Sequence, residues 1–165
     1  MSSKLSEIID LLQQQRELYS RLLELATAKR ELLVNADVKG IDEIVHQEQA
    51  ILWQAGRLED ARFRRQMELS EELGLNVAEL NFSQLKVLGG SDEEERLTGL
   101  QTGLVTILTE LAETNRLNTE LATQFLSYIN LSMQAIAGPQ PAAAYSPEGK
   151  NRQRQSQPAL LDQKA

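Results

Sequence analysis

The chain contains no cysteine among its 165 residues. Disulfides and thiolate metal sites are therefore excluded, and nothing requires an oxidising compartment. It has a single histidine, His46, so no imidazole cluster can hold a metal ion. Aromatic residues make up only 4% of the chain, and leucine is the dominant apolar residue instead. That composition suits helix packing and not sheets. No run approaches 18 consecutive apolar residues, so no membrane span is expected. The opening stretch MSSKLSEIIDLLQQQ turns polar within a few residues and lacks the apolar centre of a signal peptide. A cytoplasmic location is the expectation.

Catalytic motifs are missing as well. There is no glycine-rich loop followed by Lys-Ser/Thr to cradle a phosphate, and no Gly-x-Ser-x-Gly elbow. Glu43 and His46 match the Glu-x-x-His element of di-iron bundles, but such a site needs a second histidine. No enzymatic role and no cofactor are expected. The net charge of -7 repels a phosphate backbone, which argues against nucleic acid as a partner. From Gly138 onward four cations face two acids, so the first 137 residues carry -9. Arg57, Arg62, Arg64 and Arg65 form the one basic cluster of the body, and Glu59, Asp60 and Glu68 are interleaved with it. That pattern predicts ion pairs within a helix.

What the chain does have is three long apolar stripes at helical spacing. The first is Leu5, Ile8, Ile9, Leu12, Tyr19, Leu22, Ala26 and Leu33, flanked by a column at Leu11, Leu18, Leu25 and Leu32. This width suits a bundle helix over residues 3–35. Gln15 and Lys29 interrupt it, and their polar ends are expected to turn outward. Asn35-Ala36-Asp37 breaks the pattern, with Asp37 as the N-cap of a second helix. The second stripe runs through Ile41, Ile44, Val45, Ile51, Leu52, Ala55, Leu58, Leu69 and Leu73, to a stop at Gly74. Gly56 lies within it and is expected at a close helix contact. So short a break between long helices forces an antiparallel hairpin. Asn76 is expected to cap a short helical stretch through Leu88, ended by Gly89-Gly90. A third long helix starts at Ser91, with Ser91 and Glu94 expected as a capping box. Its stripe is Leu97, Leu100, Leu104, Ile107, Leu108, Leu111, Leu121, Phe125, Tyr128, Ile129, Met133 and Ile136, and Gly138-Pro139 stops it. Asn115 and Asn118 interrupt the stripe, and each is either a buried register-fixing group or a solvated edge.

The expected fold is all-α. A long antiparallel helical hairpin and a long third helix form a three-helix, coiled-coil-like bundle domain over residues 1–137. A disordered tail rich in Pro, Ala, Gln and Ser follows over 138–165. The third helix exceeds its neighbours by about ten residues, or roughly 15 Å. Unless residues 75–90 fold over it, or the helix kinks near Asn115–Asn118 and covers itself, the surplus leaves Leu121, Phe125, Tyr128, Ile129, Met133 and Ile136 as a partner-binding strip. Such a strip serves capture of an amphipathic helix or self-association into a homo-oligomer.

The hairpin YSRLLELATAKRELLVNADVKGIDEIVHQEQAILWQAGRLEDARFRR resembles the flagellar export chaperones of the FlgN type. Lys29-Arg30 near the end of the first helix, the break at Asp37, Glu48-Gln49 and Leu58-Glu59 before Arg62 carry the resemblance. Asn115, Asn118 and Leu121, followed by Phe125-Leu126-Ser127-Tyr128-Ile129, are similar to the family's C-terminal helix, and Tyr145 and Gly149 to its tail. The resemblance implies a cytoplasmic chaperone that grips the C-terminal helical segment of hook-associated, hook–filament junction proteins before type III export. It implies that the strip at 121–136 is the grip. The alternative is a coiled-coil structural adaptor or self-associating bundle without a client.

Overall fold

The structure, a computed structural model, describes residues 2–138. The fold is all-α. Helices α1 (Ser2–Val34), α2 (Val38–Leu73), α3 (Phe82–Leu88) and α4 (Ser91–Ala137) follow in order, with a 3-10 turn at Val77–Glu79 before α3. Apart from Gly138, the tail expected to be disordered lies outside the described residues. The chain divides into two compact units, residues 1–128 and residues 129 onward.

Local chemistry sets the helix ends. Asp37 caps α2 by accepting the Gly40 amide at 3.0 Å. The end of α2 is a left-handed glycine, Gly74 at φ +65°. The Leu75 amide returns to the Ser70 carbonyl at 3.0 Å and satisfies one of the orphan acceptors. Helix α1 ends the same way, with the Asp37 amide donating to the Leu32 carbonyl at 2.9 Å, but its left-handed position is Ala36 at φ +54°. Asn76 and Glu79 form a complete capping box on the 3-10 turn. The start of α4 differs from expectation. Gly90 is its cap, because the Gly90 carbonyl takes the first helical bond, from the Glu94 amide at 2.9 Å. Glu93, not Glu94, reaches back to the Gly90 amide at 2.8 Å. The helix starts one residue earlier than a Ser91 cap would have it, which puts Glu93 at the third helical position, where its side chain is in reach.

Helices α1 and α2 form the antiparallel hairpin, their backbones close along the whole length. Ion pairs across the seam hold its register. Lys4 meets Glu72 at 2.6 Å, Arg65 meets Glu7 at 2.6 Å and Lys29 meets Glu48 at 2.7 Å. Gln15 and Lys29 therefore do not turn outward. Gln15 is buried and donates to Glu59 Oε2 at 2.7 Å, while Lys29 Nζ donates to both Glu48 oxygens. A carboxylate on α2 stands opposite each break in the α1 stripe, which satisfies the buried head where it lies. Among the arginines, Arg62 pairs with Glu59 and Arg65 with Glu68 along α2, as their spacing requires. Gly56 meets no atom within 4 Å of a built Cβ, so it marks open space rather than a close contact.

Helix α4 runs parallel to α1 and antiparallel to α2. Arg96 pairs with Asp10 at 3.2 Å, the Arg16 guanidinium lies over Gly103, and Asn118 bonds to the Ala26 carbonyl. At its start α4 packs Leu97 and Leu100 onto Leu5, Ile8, Ile9 and Leu12 of α1, together with Leu69, Leu80 and Leu85. Residues 75–90 thus close the end of the unit where α1 begins. Gln66 ties them down by donating to the Leu80 carbonyl at 3.1 Å, and Lys86 does so by donating to Gln101. A second cluster joins Leu22, Ala26, Ile51 and Leu111 farther along.

Candidate partner-binding surface

Each long helix carries its apolar stripe along most of its length, and the three lengths are 33 residues for α1, 36 for α2 and 47 for α4. Register decides where the first unit runs out of cover for α4. Asn118 meets Ala26, eight residues before α1 ends at Val34, and eight residues beyond Asn118 is Leu126. Leu121 and Phe125 are half-buried, whereas Leu126 and Tyr128 are 59% and 69% exposed. The 75–90 segment packs at the other end of this unit and leaves these side chains uncovered.

Residues 129–137, taken by themselves, are helical throughout and carry no charged side chain. Ile129 is half-buried there, Leu131 and Met133 are exposed, and Ile136 is 87% exposed. Gly138 closes the helix at φ +71°. Leu126 and Leu131 add to the apolar surface on α4. The α4 stripe, as read from spacing, omits both.

The first unit also holds an apolar trough of about 570 Å³ between α2 and α4, floored by α1. Ile41, Val45 and Leu52 form the α2 wall, and Asn115, Thr119 and Ala122 form the α4 wall. Tyr19, Leu22 and Leu33 belong to the floor. Leu52 is 52% exposed on its wall, and Leu108 is exposed one turn before Leu111. Both leucines fall in stripes expected to be core. They are exposed because α2 and α4 each pack on α1 and leave a gap between them.

The two asparagines part company. Asn115 is exposed in the trough. Asn118 is 4% exposed, and its Nδ2 donates to the Ala26 carbonyl at 2.7 Å while its Oδ1 is buried with no protein donor. The ion pair of Lys29 and Glu48 lines the same trough and neutralises itself. On the α4 rim, Arg116 lies between Glu113 and Glu120 and bonds both, and its guanidinium beside Glu113 holds that carboxyl below the usual range.

Both surfaces are apolar and lie on long helices. A family model described as FlgN protein matches residues 1–153. The chain belongs to the FlgN family of flagellar export chaperones. No curated protein and no solved structure shows a significant match to it. As a FlgN-family member the protein is a chaperone and not an enzyme. His46 is exposed on α2, with Nδ1 against the Asp42 carbonyl at 2.8 Å. Among the described residues no helix is long and apolar enough to cross a membrane.

Proposed function

We propose that this FlgN-family chaperone binds the C-terminal helical segment of hook-associated, hook–filament junction proteins in the cytoplasm. It holds that segment in covered form, prevents premature assembly and releases it for type III export. Leu121, Phe125, Tyr128, Ile129, Met133 and Ile136 make the grip. The observation that carries this reading is the uncharged stretch from Leu121 to Ala137 with exposed aromatic and aliphatic side chains. A surface of that kind marks a partner site on a soluble helix. Met133 among them adapts to the shape of a client.

Affinity comes from apolar burial, with each well-buried large side chain worth about 1.5–3 kcal/mol. Ordering the client segment offsets part of it. Aspartate at both Phe125 and Ile129 is therefore expected to weaken binding on the order of a hundredfold or more, with helix content unchanged. Titration calorimetry of wild type and the double variant with the C-terminal segment of a junction protein tests it. Equal affinities would sink the proposal.

A further inference from the structure

Helix α2 carries a second seam on the face it turns away from α1. Gln49, Trp53, Gly56, Asp60, Phe63 and Met67 follow one another at alternating steps of four and three, and all six are exposed. That is the spacing of a coiled-coil seam, which calls for a facing helix. Trp53 is 68% exposed and is the only tryptophan of the chain. Phe63 and Met67 are exposed farther along. Gly56 lies between them with open space where a Cβ would stand, so a second backbone can come close there. Three exposed charges stand on this face, Arg57, Asp60 and Arg64, and among the described residues none of them has an ion pair. Arg57 and Asp60 are three residues apart, the spacing that pairs Arg62 with Glu59 and Arg65 with Glu68. The Arg57 guanidinium nevertheless lies over the Trp53 ring, 5.1 Å from its centroid, and leaves Asp60 to the solvent.

We propose that this face is an isologous interface, in which α2 packs antiparallel on α2 of a second copy across a two-fold axis level with Leu58 and Glu59. Charge selects this occupant. About such an axis, residues equally far from it on either side face each other, so Arg57 of each copy meets Asp60 of the other. The same register sets Arg64 of one copy on Trp53 of the other, and Glu71 against His46, both of them exposed. No like charges face each other. A parallel packing would instead put Arg57 on Arg57 and Asp60 on Asp60. The body of each copy carries -9, so two copies repel over most of their surface. This face is the exception, with two cations and one acid among its central charges. Tryptophan and arginine at the centre of the contact are the residue types that dominate interface energies. The contact uses no residue of α4, so it does not depend on the chaperone reading.

The test is a charge swap in the full chain. Sedimentation velocity over a dilution series is expected to show a reversible dimer of the wild type, and Trp53 emission is expected to move to longer wavelength on dilution as the indole returns to water. Arg57→Asp and Asp60→Arg each set like charges face to face twice, and each is expected to raise the dimer dissociation constant about a hundredfold or more. The double variant Arg57→Asp/Asp60→Arg restores both pairs and is expected to dimerise as the wild type does. Mixed in equal amounts, the two single variants are expected to pair with each other, because one then carries two acids at these positions and the other two cations. All these positions are exposed, and circular dichroism checks that helix content is kept. A wild type that stays monomeric at every concentration overturns the proposal. A dimer that both single variants form as tightly as the wild type also overturns it, since the contact then lies on another face. So does failure of both the double variant and the mixture to dimerise, because the losses in the single variants then have another cause.

Discussion

Replacing Asn118 by leucine is expected to stabilise the protein by about 2 kcal/mol, although it removes a buried hydrogen bond. The bond from Asn118 Nδ2 to the Ala26 carbonyl is short, 2.7 Å, and such a bond contributes about 0.5–1.5 kcal/mol net. The Ala26 carbonyl lies mid-helix in α1, so it keeps its helical partner when the asparagine is gone. Against that loss stands Oδ1, buried with no protein donor, whose desolvation costs about 1–3 kcal/mol. Leucine has the same branching at Cγ and a larger volume, for which the adjoining trough leaves room, and it adds apolar surface beside Ala26 and Leu22, worth about a further 1 kcal/mol. The stabilising terms are the larger. Urea unfolding followed by circular dichroism reads the change directly, and the melting midpoint should rise by roughly 5–8 °C. Asn118→Asp gives the opposite sign, because it adds a buried charge with no cation bonded to it, and should lose about 3 kcal/mol or more. A leucine variant destabilised by 1 kcal/mol or more would refute the reasoning and show that the asparagine earns its place through packing or register.

Ala36→Gly should stabilise by about 0.5–1 kcal/mol, because Ala36 holds φ +54°, a left-handed conformation that penalises any Cβ; an unchanged urea midpoint would contradict this. Acid should weaken the fold. Burial opposes ionisation of Glu59, but hydrogen bonds from Arg62 and Gln15 more than offset it and hold the carboxyl below the usual 4.5. The hydrogen bond from Lys4 holds Glu72 down in the same way, and that from Arg116 holds Glu113. A folded-state pKa below the unfolded one means that the stabilisation is present above about pH 4.5 and lost as pH falls through the folded values. The urea midpoint measured from pH 7 to pH 3 should therefore drop at the acid end, and Glu59→Gln should make the drop shallower; the same slope in both proteins would count against the assignment.

Helix ends were the most legible part of the sequence, because each is written in local chemistry. Asp37, Gly74, Asn76 and Gly138 stop or start helices where their side chains, or the lack of one, demand it. Ala36 was not legible as a left-handed residue, since alanine there is chosen against its own preference by the tightness of the hairpin. Nor was the inward turn of Gln15 and Lys29, which depends on carboxylates 44 and 19 residues away on α2. The end of α4 was visible as an apolar strip because spacing within one helix suffices. The trough was not visible, because its walls come from two helices and Leu52 and Leu108 have the same spacing as leucines that are buried. Only the gap between α2 and α4 distinguishes them, and a gap leaves no mark in sequence.

The buried seam of α4 changes character along its length. Leu97, Leu100, Leu104 and Leu111 are buried in the two apolar clusters, after which the buried positions become Thr114 and Asn118. Apolar attachment to α1 is therefore strongest at the start of α4 and weakest beside the trough. Local opening follows the density of buried apolar contacts, so this stretch should open at lower free energy than the start of the helix. That places the softest contact in the first unit beside the trough, whose lining includes Asn118 itself. A leucine at 118 should therefore slow amide hydrogen exchange over residues 112–122 more than at the start of α4, where the apolar clusters already hold the helix; equal slowing at both places would overturn the reading.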